Sequence, residues 1–342
     1  MKRFIFILVL VLAWTAQVQA QAPFYEGKTI SIVVGTKAGD VYDLYARFLA
    51  YHMPKYIPGN PNIIVQNMPG AASLITANHV YNVAKPDGLT IGAIYPALYF
   101  DQLIGRKEIK FDWSKFGWIG SPVTSNHLLY MRADTPYKTM DDIRKASEPP
   151  KCGATGTTST AYYVPHLMQE VIGSKFNIIM GYQAGQDIDL AVERGEVVCR
   201  AFTITAFFAR EPFTTWRKTG FVRVLMQTGR KRDSRLPDVP TIYELMDQYK
   251  ARDADRRLAT LVLAAGDFGR PYVLPAATPG DRLKTLRQAF TKAISNPDVV
   301  SDAEKKKLEI DPSTGEELEV LAKEVIAQSP EVIERMRKML AK

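Results

Sequence analysis

The sequence is poor in the residues on which most site chemistry depends. Only 2 of its 342 residues are cysteine and 4 are histidine, so a four-cysteine zinc site is excluded. The histidines (His52, His79, His127 and His166) fall in separate predicted elements and offer little metal-binding capacity. There is no Gly-x-Ser-x-Gly elbow, Walker loop, Gly-x-Gly-x-x-Gly fingerprint or His-Glu-x-x-His pair, which removes the motif grounds for several enzyme classes. No catalytic residue, metal or cofactor is therefore expected. Charge of one sign is not concentrated either, with 44 Lys+Arg against 36 Asp+Glu. The clusters Arg230-Lys231-Arg232 and Lys305-Lys306-Lys307 lack the basic stripe and reading element of a nucleic-acid binder. Lys305 to Lys307 read as a solvated helix face.

Long apolar runs are missing everywhere except at the start. Lys2 and Arg3 precede an uncharged run from Phe4 to Trp14, and Val18-Gln19-Ala20 supplies small residues for a cleavage site. Such a run falls short of the ~20 residues that span a bilayer. Residues 1–20 are therefore expected to be a cleaved signal peptide, which places the mature chain in an exported compartment. What remains has the composition of a globular protein, 46% apolar and 23% charged overall, and is long enough for two domains.

Strand and helix patterns alternate. Thr29–Val34 is a β-branched run ending at Gly35, and helical spacing follows from Val41 to Tyr51. Ile63–Val65 and Leu89–Ile94 read as further strands, with a helix near Ser73–Val83 between them. This alternation indicates a helix-covered parallel sheet. A second set begins after Phe111–Val123. Strands are expected at His127–Arg132, Lys151–Ala154, Asn177–Met180, Val197–Phe202 and Val222–Gln227, with helices at Thr139–Ala146, Tyr163–Ile172 and Asp187–Arg194. Beyond the rigid Leu236–Pro240 stretch come one more apolar strand at Arg257–Ala265 and helical segments at Gly280–Ser295 and Thr314–Leu340.

Four loops rich in Gly, Ser and Thr directly follow predicted strands: 35–43, 67–73, 153–160 and 181–187. Loops at the carboxyl ends of parallel strands gather backbone N–H groups and helix N-termini, an arrangement suited to anions. The competing reading of each loop is an ordinary helix cap. Tyr42, Tyr95, Tyr99, Tyr162 and Tyr163 lie at or near these loops, where stacking on a planar ligand competes with core or hinge packing.

These blocks, in this order, resemble the extracytoplasmic solute receptors of tripartite tricarboxylate transport systems, the Bug-type receptors. The resemblance rests on Ile32 to Asp43 followed by Ala46-Arg47, on Asn67-Met68-Pro69-Gly70-Ala71-Ala72-Ser73, and on Pro86-Asp87-Gly88. It continues through Cys152-Gly153 to Ser159, Gly181 to Asp187 and Glu193-Arg194-Gly195-Glu196-Val197, and is most literal at Leu236-Pro237-Asp238-Val239-Pro240-Thr241. Two departures stand out. Lys37 and Asp40-Val41-Tyr42 replace part of the family's Gly-rich first loop, and Thr203 stands where many relatives have an acid.

The resemblance implies an α/β periplasmic binding protein, type II-like, of two lobes. Each lobe would be a helix-covered, mostly parallel sheet, with a ligand cleft between them. Lobe I would comprise residues 21–124 and 246–342, and lobe II residues 125–245. The receptor would capture a small carboxylate, aliphatic or aromatic, in the periplasm and deliver it to integral-membrane permease subunits. It would act as a monomer, without nucleic acid. Carried over by position, the ligand-binding set is Thr36, Lys37, Gly39, Asp43, Ala72, Ser73, Thr157, Thr158, Ser159, Gln183, Gln186 and Thr203, to which Tyr95 is added as a ring beside the loops. Lys37 pairing with a carboxylate competes with a solvated loop lysine. The rival functions are an exported α/β enzyme on an anionic substrate, for example through Asp43 and His166, and a solute sensor feeding a signalling partner. Cys152 and Cys199, on strands of the second unit, are expected to form a disulfide in an oxidising compartment, the alternative being two buried thiols.

Overall fold

The computed structural model describes residues 22–154, 159–182 and 185–340. The expected signal peptide lies outside the described residues, as do Thr157, Thr158 and Gln183.

The chain builds two helix-covered sheets. The strands are β1 (Thr29–Val34), β2 (Asn62–Asn67), β3 (Thr90–Ala93), β4 (Gly117–Ser121), β5 (His127–Arg132), β6 (Lys151–Gly153), β7 (Asn177–Ile179), β8 (Cys199–Thr203), β9 (Val222–Gln227), β10 (Tyr272–Leu274) and β11 (Ser313–Thr314). The first sheet has the order β11-β4-β10-β3-β1-β2 and the second β7-β6-β8-β5-β9. Parallel pairing holds where strand–helix–strand units wind, in β1 with β2 and β3 and in β6 with β7 and β8. The expected mostly parallel character is confined to those units. β10 runs antiparallel to both β3 and β4, and β5 runs antiparallel to both β8 and β9, so each sheet is mixed. The reason is connectivity: the chain crosses from the first sheet to the second between β4 and β5 and returns before β10, entering each sheet from the crossing side.

One face of the first sheet buries Ile30, Ile32, Val34, Ala93 and Tyr272 against the helices Val41–His52 and Gly280–Ile294. Its other face carries Trp118 and Val273 into a core that continues under the second sheet to Leu129, Met131 and Ala201. The helix Asp253–Phe268 makes that continuity. It packs on the helices Thr160–Ile172 and Pro330–Leu340, while Phe268 stacks on Trp118 with ring centroids 5.0 Å apart and the Leu261 carbonyl accepts the Tyr99 hydroxyl at 2.7 Å.

This helix corrects the strand expected at Arg257–Ala265. Leu258 to Ala264 are buried without interruption, and burial on all sides erases the 3.6-residue period that distinguishes a helix from a buried strand. The helical start is instead set by Arg252 and Asp255, whose carboxylate accepts the Arg252 N–H and guanidinium. The C-terminal segment expected at Thr314–Leu340 divides into Gly315–Ile326 and Pro330–Leu340, and a further helix, Pro297–Lys305, begins at an Asn296 cap with proline at its first position. Among the described residues no helix is long and apolar enough to cross a membrane.

Candidate functional site

Sheet register lines up three residues at the crossing edge of the first sheet. Val34 pairs with Ala93, and Ala93 with Tyr272. Two positions beyond each lie Thr36, Tyr95 and Arg270, and the pairing runs past the strand ends through Gly35 N–H to the Ala93 carbonyl. All three lie just outside the strands, where Thr36 is buried and Tyr95 packs beside Tyr42. Tyr42, in the first turn of the helix behind the first loop, closes the group. Its ring lies 4.9 Å from that of Tyr95 and 5.7 Å from the Arg270 guanidinium, and its hydroxyl donates to the Gly269 carbonyl at 3.4 Å.

The first loop is fixed from beneath. Asp40 caps the helix by accepting the Tyr42 N–H at 3.0 Å. The buried Asp43 carboxylate accepts the Gly39 N–H at 2.8 Å, Arg47 Nε at 2.9 Å and Asn67 Nδ2 at 2.9 Å. Asn67 Nδ2 also donates to the Thr36 carbonyl at 3.1 Å. Burial pushes the Asp43 carboxyl upward, but the hydrogen bonds from Arg47, Gly39 and Asn67 outweigh it and hold the group below its ordinary value. With these donors satisfied, Asp43 positions the loop.

The second loop meets the first at close quarters. A Cβ on Gly35 would fall 1.9 Å from Ser73 Oγ, so only glycine permits the approach. Ser73 itself adopts φ 71°, and its hydroxyl accepts the Tyr95 N–H at 3.2 Å. Ala72 belongs to the short turn of helix Ala71–Ser73. Lys37 is exposed, and Gly39 faces open space at φ +82°. Tyr99, by contrast, is a fully buried core residue, and Tyr162 is buried in the second unit.

On the second sheet, Thr203 ends β8 opposite His127 and starts the helix Ile204–Ala209. Ser159 starts the helix Thr160–Ile172, its carbonyl accepting the Tyr162 and Tyr163 N–H groups. Gln186 stands apart from the row on the first sheet: it lines a 420 Å³ cavity with Asp189, Arg200, Arg210 and Phe213. The two units touch through Glu309, which accepts the Thr205 hydroxyl and pairs with Arg235 at 2.7 Å. A groove of about 780 Å³ lies elsewhere, between segments 230–235 and 309–324. Its arginines are matched internally, Arg230 to Asp267 and Glu324, Arg232 to Glu244 and Arg235 to Asp233 and Glu309. Among the described residues no group of three His, Cys, Asp or Glu side chains is placed to hold a metal ion.

Arg270 was not legible as a site residue, since a lone arginine between Gly269 and Pro271 matches no motif. Tyr42 carried a weak signal from its place behind the first loop.

With this geometry in view, the similarity to known proteins is consistent along the chain. The family model described as the tripartite tricarboxylate transporter family receptor (TctC) matches residues 45–337. A Cupriavidus necator protein named for the gbd 5′ region is 27% identical over 323 residues, covering 93% of this chain and 90% of its own. The crystal structure of a TctC solute-binding protein from Polaromonas superposes with a TM-score of 0.72 at 20% identity, covering 92% of this chain and 99% of that one. MatC from Rhodopseudomonas palustris, with bound malate, gives 0.50 at 19% identity, with 92% and 99% covered.

Proposed function

Because this chain belongs to the tripartite tricarboxylate transporter receptor family, we propose that its solute is a small carboxylate, aliphatic or aromatic, held between the two sheet units. The family is one of periplasmic solute-binding receptors, and this chain is a receptor of that kind, not an enzyme. The observation that carries the proposal is the family match over residues 45–337, joined to loops that converge at one sheet edge. That the relative MatC holds malate supports the same ligand class.

In this reading lobe I is residues 21–124 and 246–342 and lobe II is 125–245, with residues 1–20 removed on export. Thr36, Gly39, Ala72, Ser73 and Tyr95 form the first-lobe wall, positioned by Asp43. Thr157, Thr158, Ser159, Gln183, Gln186 and Thr203 are the second-lobe candidates by sequence position alone. Exposed Lys37 steers anions toward the mouth. Ligand stabilises the closed arrangement of the lobes, and a monomer in that state is what the membrane permease recognises.

The test is a thermal-shift screen of the chain from Gln21 onward, unfolded and refolded beforehand to remove any solute acquired in expression. The panel is malate, adipate, citrate and benzoate, with glucose as the uncharged control. A carboxylate at 100 times its Kd adds about 2.7 kcal/mol and raises the midpoint. A response to glucose alone, or to nothing, defeats the carboxylate reading.

A further inference from the structure

Among the described residues, Arg270 is an arginine without an acid. The described arginines around the lobe contacts are matched, Arg235 to Asp233 and Glu309 and Arg230 to Asp267 and Glu324, whereas Arg270 has no ion-pair partner among the described residues. Its Nε is shut away from solvent with no acceptor among the described residues, and its guanidinium lies over two tyrosine rings, 5.1 Å from Tyr45 and 5.7 Å from Tyr42. A desolvated donor left unsatisfied costs about 1–3 kcal/mol, more for a charged group. Such a cost is retained where a ligand removes it.

The surroundings fit that purpose. Arg270 directly precedes β10 of the first sheet, and its backbone N–H donates to Ser121 Oγ at 2.8 Å, which fixes the backbone there. Thr36, just past the end of β1, also has a buried hydroxyl with no hydrogen-bond partner among the described residues. Arg270 and Thr36 therefore each carry a buried unsatisfied donor, and the Tyr42 ring packs against both Tyr95 and the Arg270 guanidinium. Arginine presents a planar fork matched to a carboxylate, and stacking on the tyrosine rings limits the rotamer freedom lost on binding.

We propose that Arg270 is the charged anchor of the site, taking one carboxylate of the solute while the Thr36 hydroxyl holds a second polar group of the same molecule. This rests on the carboxylate-receptor reading and adds to it a residue and a ligand requirement: at least one ionised carboxylate, directed at the crossing edge of the first sheet. Binding then weakens with ionic strength, and neutralising that carboxylate abolishes it.

The experiment is calorimetric titration of wild type, Arg270→Met, Arg270→Lys and Thr36→Val with the best-binding of malate, adipate, citrate and benzoate, and with its amide. Arg270→Met weakens binding roughly 10–100-fold and flattens its salt dependence. Arg270→Lys, which keeps the charge but loses the fork, falls between the two, and Thr36→Val loses several-fold. Melting of the unliganded variants reports folding, and if Arg270→Met does not fold, Arg270→Lys carries the test. Wild-type affinity retained by the folded arginine variants overturns the anchor and leaves the receptor reading standing. Wild type that binds no carboxylate overturns both.

Discussion

Arg235 and Glu309 meet at 2.7 Å across the gap between the two units. The first comes from the segment after β9 and the second from the segment before β11. Glu309 also accepts the Thr205 hydroxyl from the head of the helix Ile204–Ala209, and its carbonyl accepts the Tyr45 hydroxyl at 2.8 Å. One residue thus ties the second unit to the helix beneath the first loop. Both members of the pair are part-exposed, so the pair itself contributes no more than about 1 kcal/mol. Glu309→Gln is expected to leave the melting midpoint almost unchanged while lowering amide-exchange protection in segments 204–209 and 306–312. Unaltered protection would mean that the two units are held without this contact.

Asp43 is expected to govern the first loop through its acceptors. Asp43→Ala leaves the Gly39 N–H and the Asn67 amide without their partner and costs about 1–3 kcal/mol in denaturant unfolding. Since the folded carboxyl titrates below its unfolded value, its contribution is complete above about pH 4 and is lost as pH falls through the folded value. The difference in stability between wild type and Asp43→Ala should therefore shrink in acid. A constant difference down to pH 2 contradicts this assignment.

His127 supplies a pH dependence of its own. Burial lowers it from 6.5 to about 4, so the neutral ring is the folded form. The unfolded chain binds the extra proton between these values, and stability present above about pH 6.5 is lost as pH falls toward 4, by about 3 kcal/mol in all. Asp267 opposes this. Burial, partly offset by Arg230, raises it to about 6, so its contribution is present below about pH 4 and lost as pH rises through 6. The raw slope is thus muted, and the comparison to make is wild type against His127→Asn by urea unfolding at pH 7.5 and 5. The histidine protein should lose more stability on acidification than the variant. Equal losses would place the titration elsewhere.

Cys152 and Cys199 form a disulfide between neighbouring parallel strands, with Cα atoms 4.5 Å apart and a sequence separation of 47. Opening it releases loop entropy to the unfolded chain, at about 2–4 kcal/mol. The double variant Cys152→Ala, Cys199→Ala is expected to melt correspondingly lower. Alkylation under denaturing, non-reducing conditions should label neither cysteine, and labelling of both in protein from an oxidising compartment would refute the bond.

The sequence alone determined the α/β class, the position of most strands and the loops that follow them, because the β-branched run ending at Gly35 and capped helices are local signals. It also carried the receptor family, through Asn67 to Ser73 and Leu236 to Thr241, which are turn and cap residues whose chemistry is read over a few positions. It could not decide Arg257–Ala265, since uniform burial leaves no period to read and only the packing of Phe268 on Trp118 and of the helix on Thr160–Ile172 explains that burial. Nor could it find Arg270, separated from Tyr42 by more than two hundred positions in the chain. That neighbourhood exists because β10 returns antiparallel between β3 and β4, and a residue's electrostatic partners are set by sheet order, which no local pattern encodes.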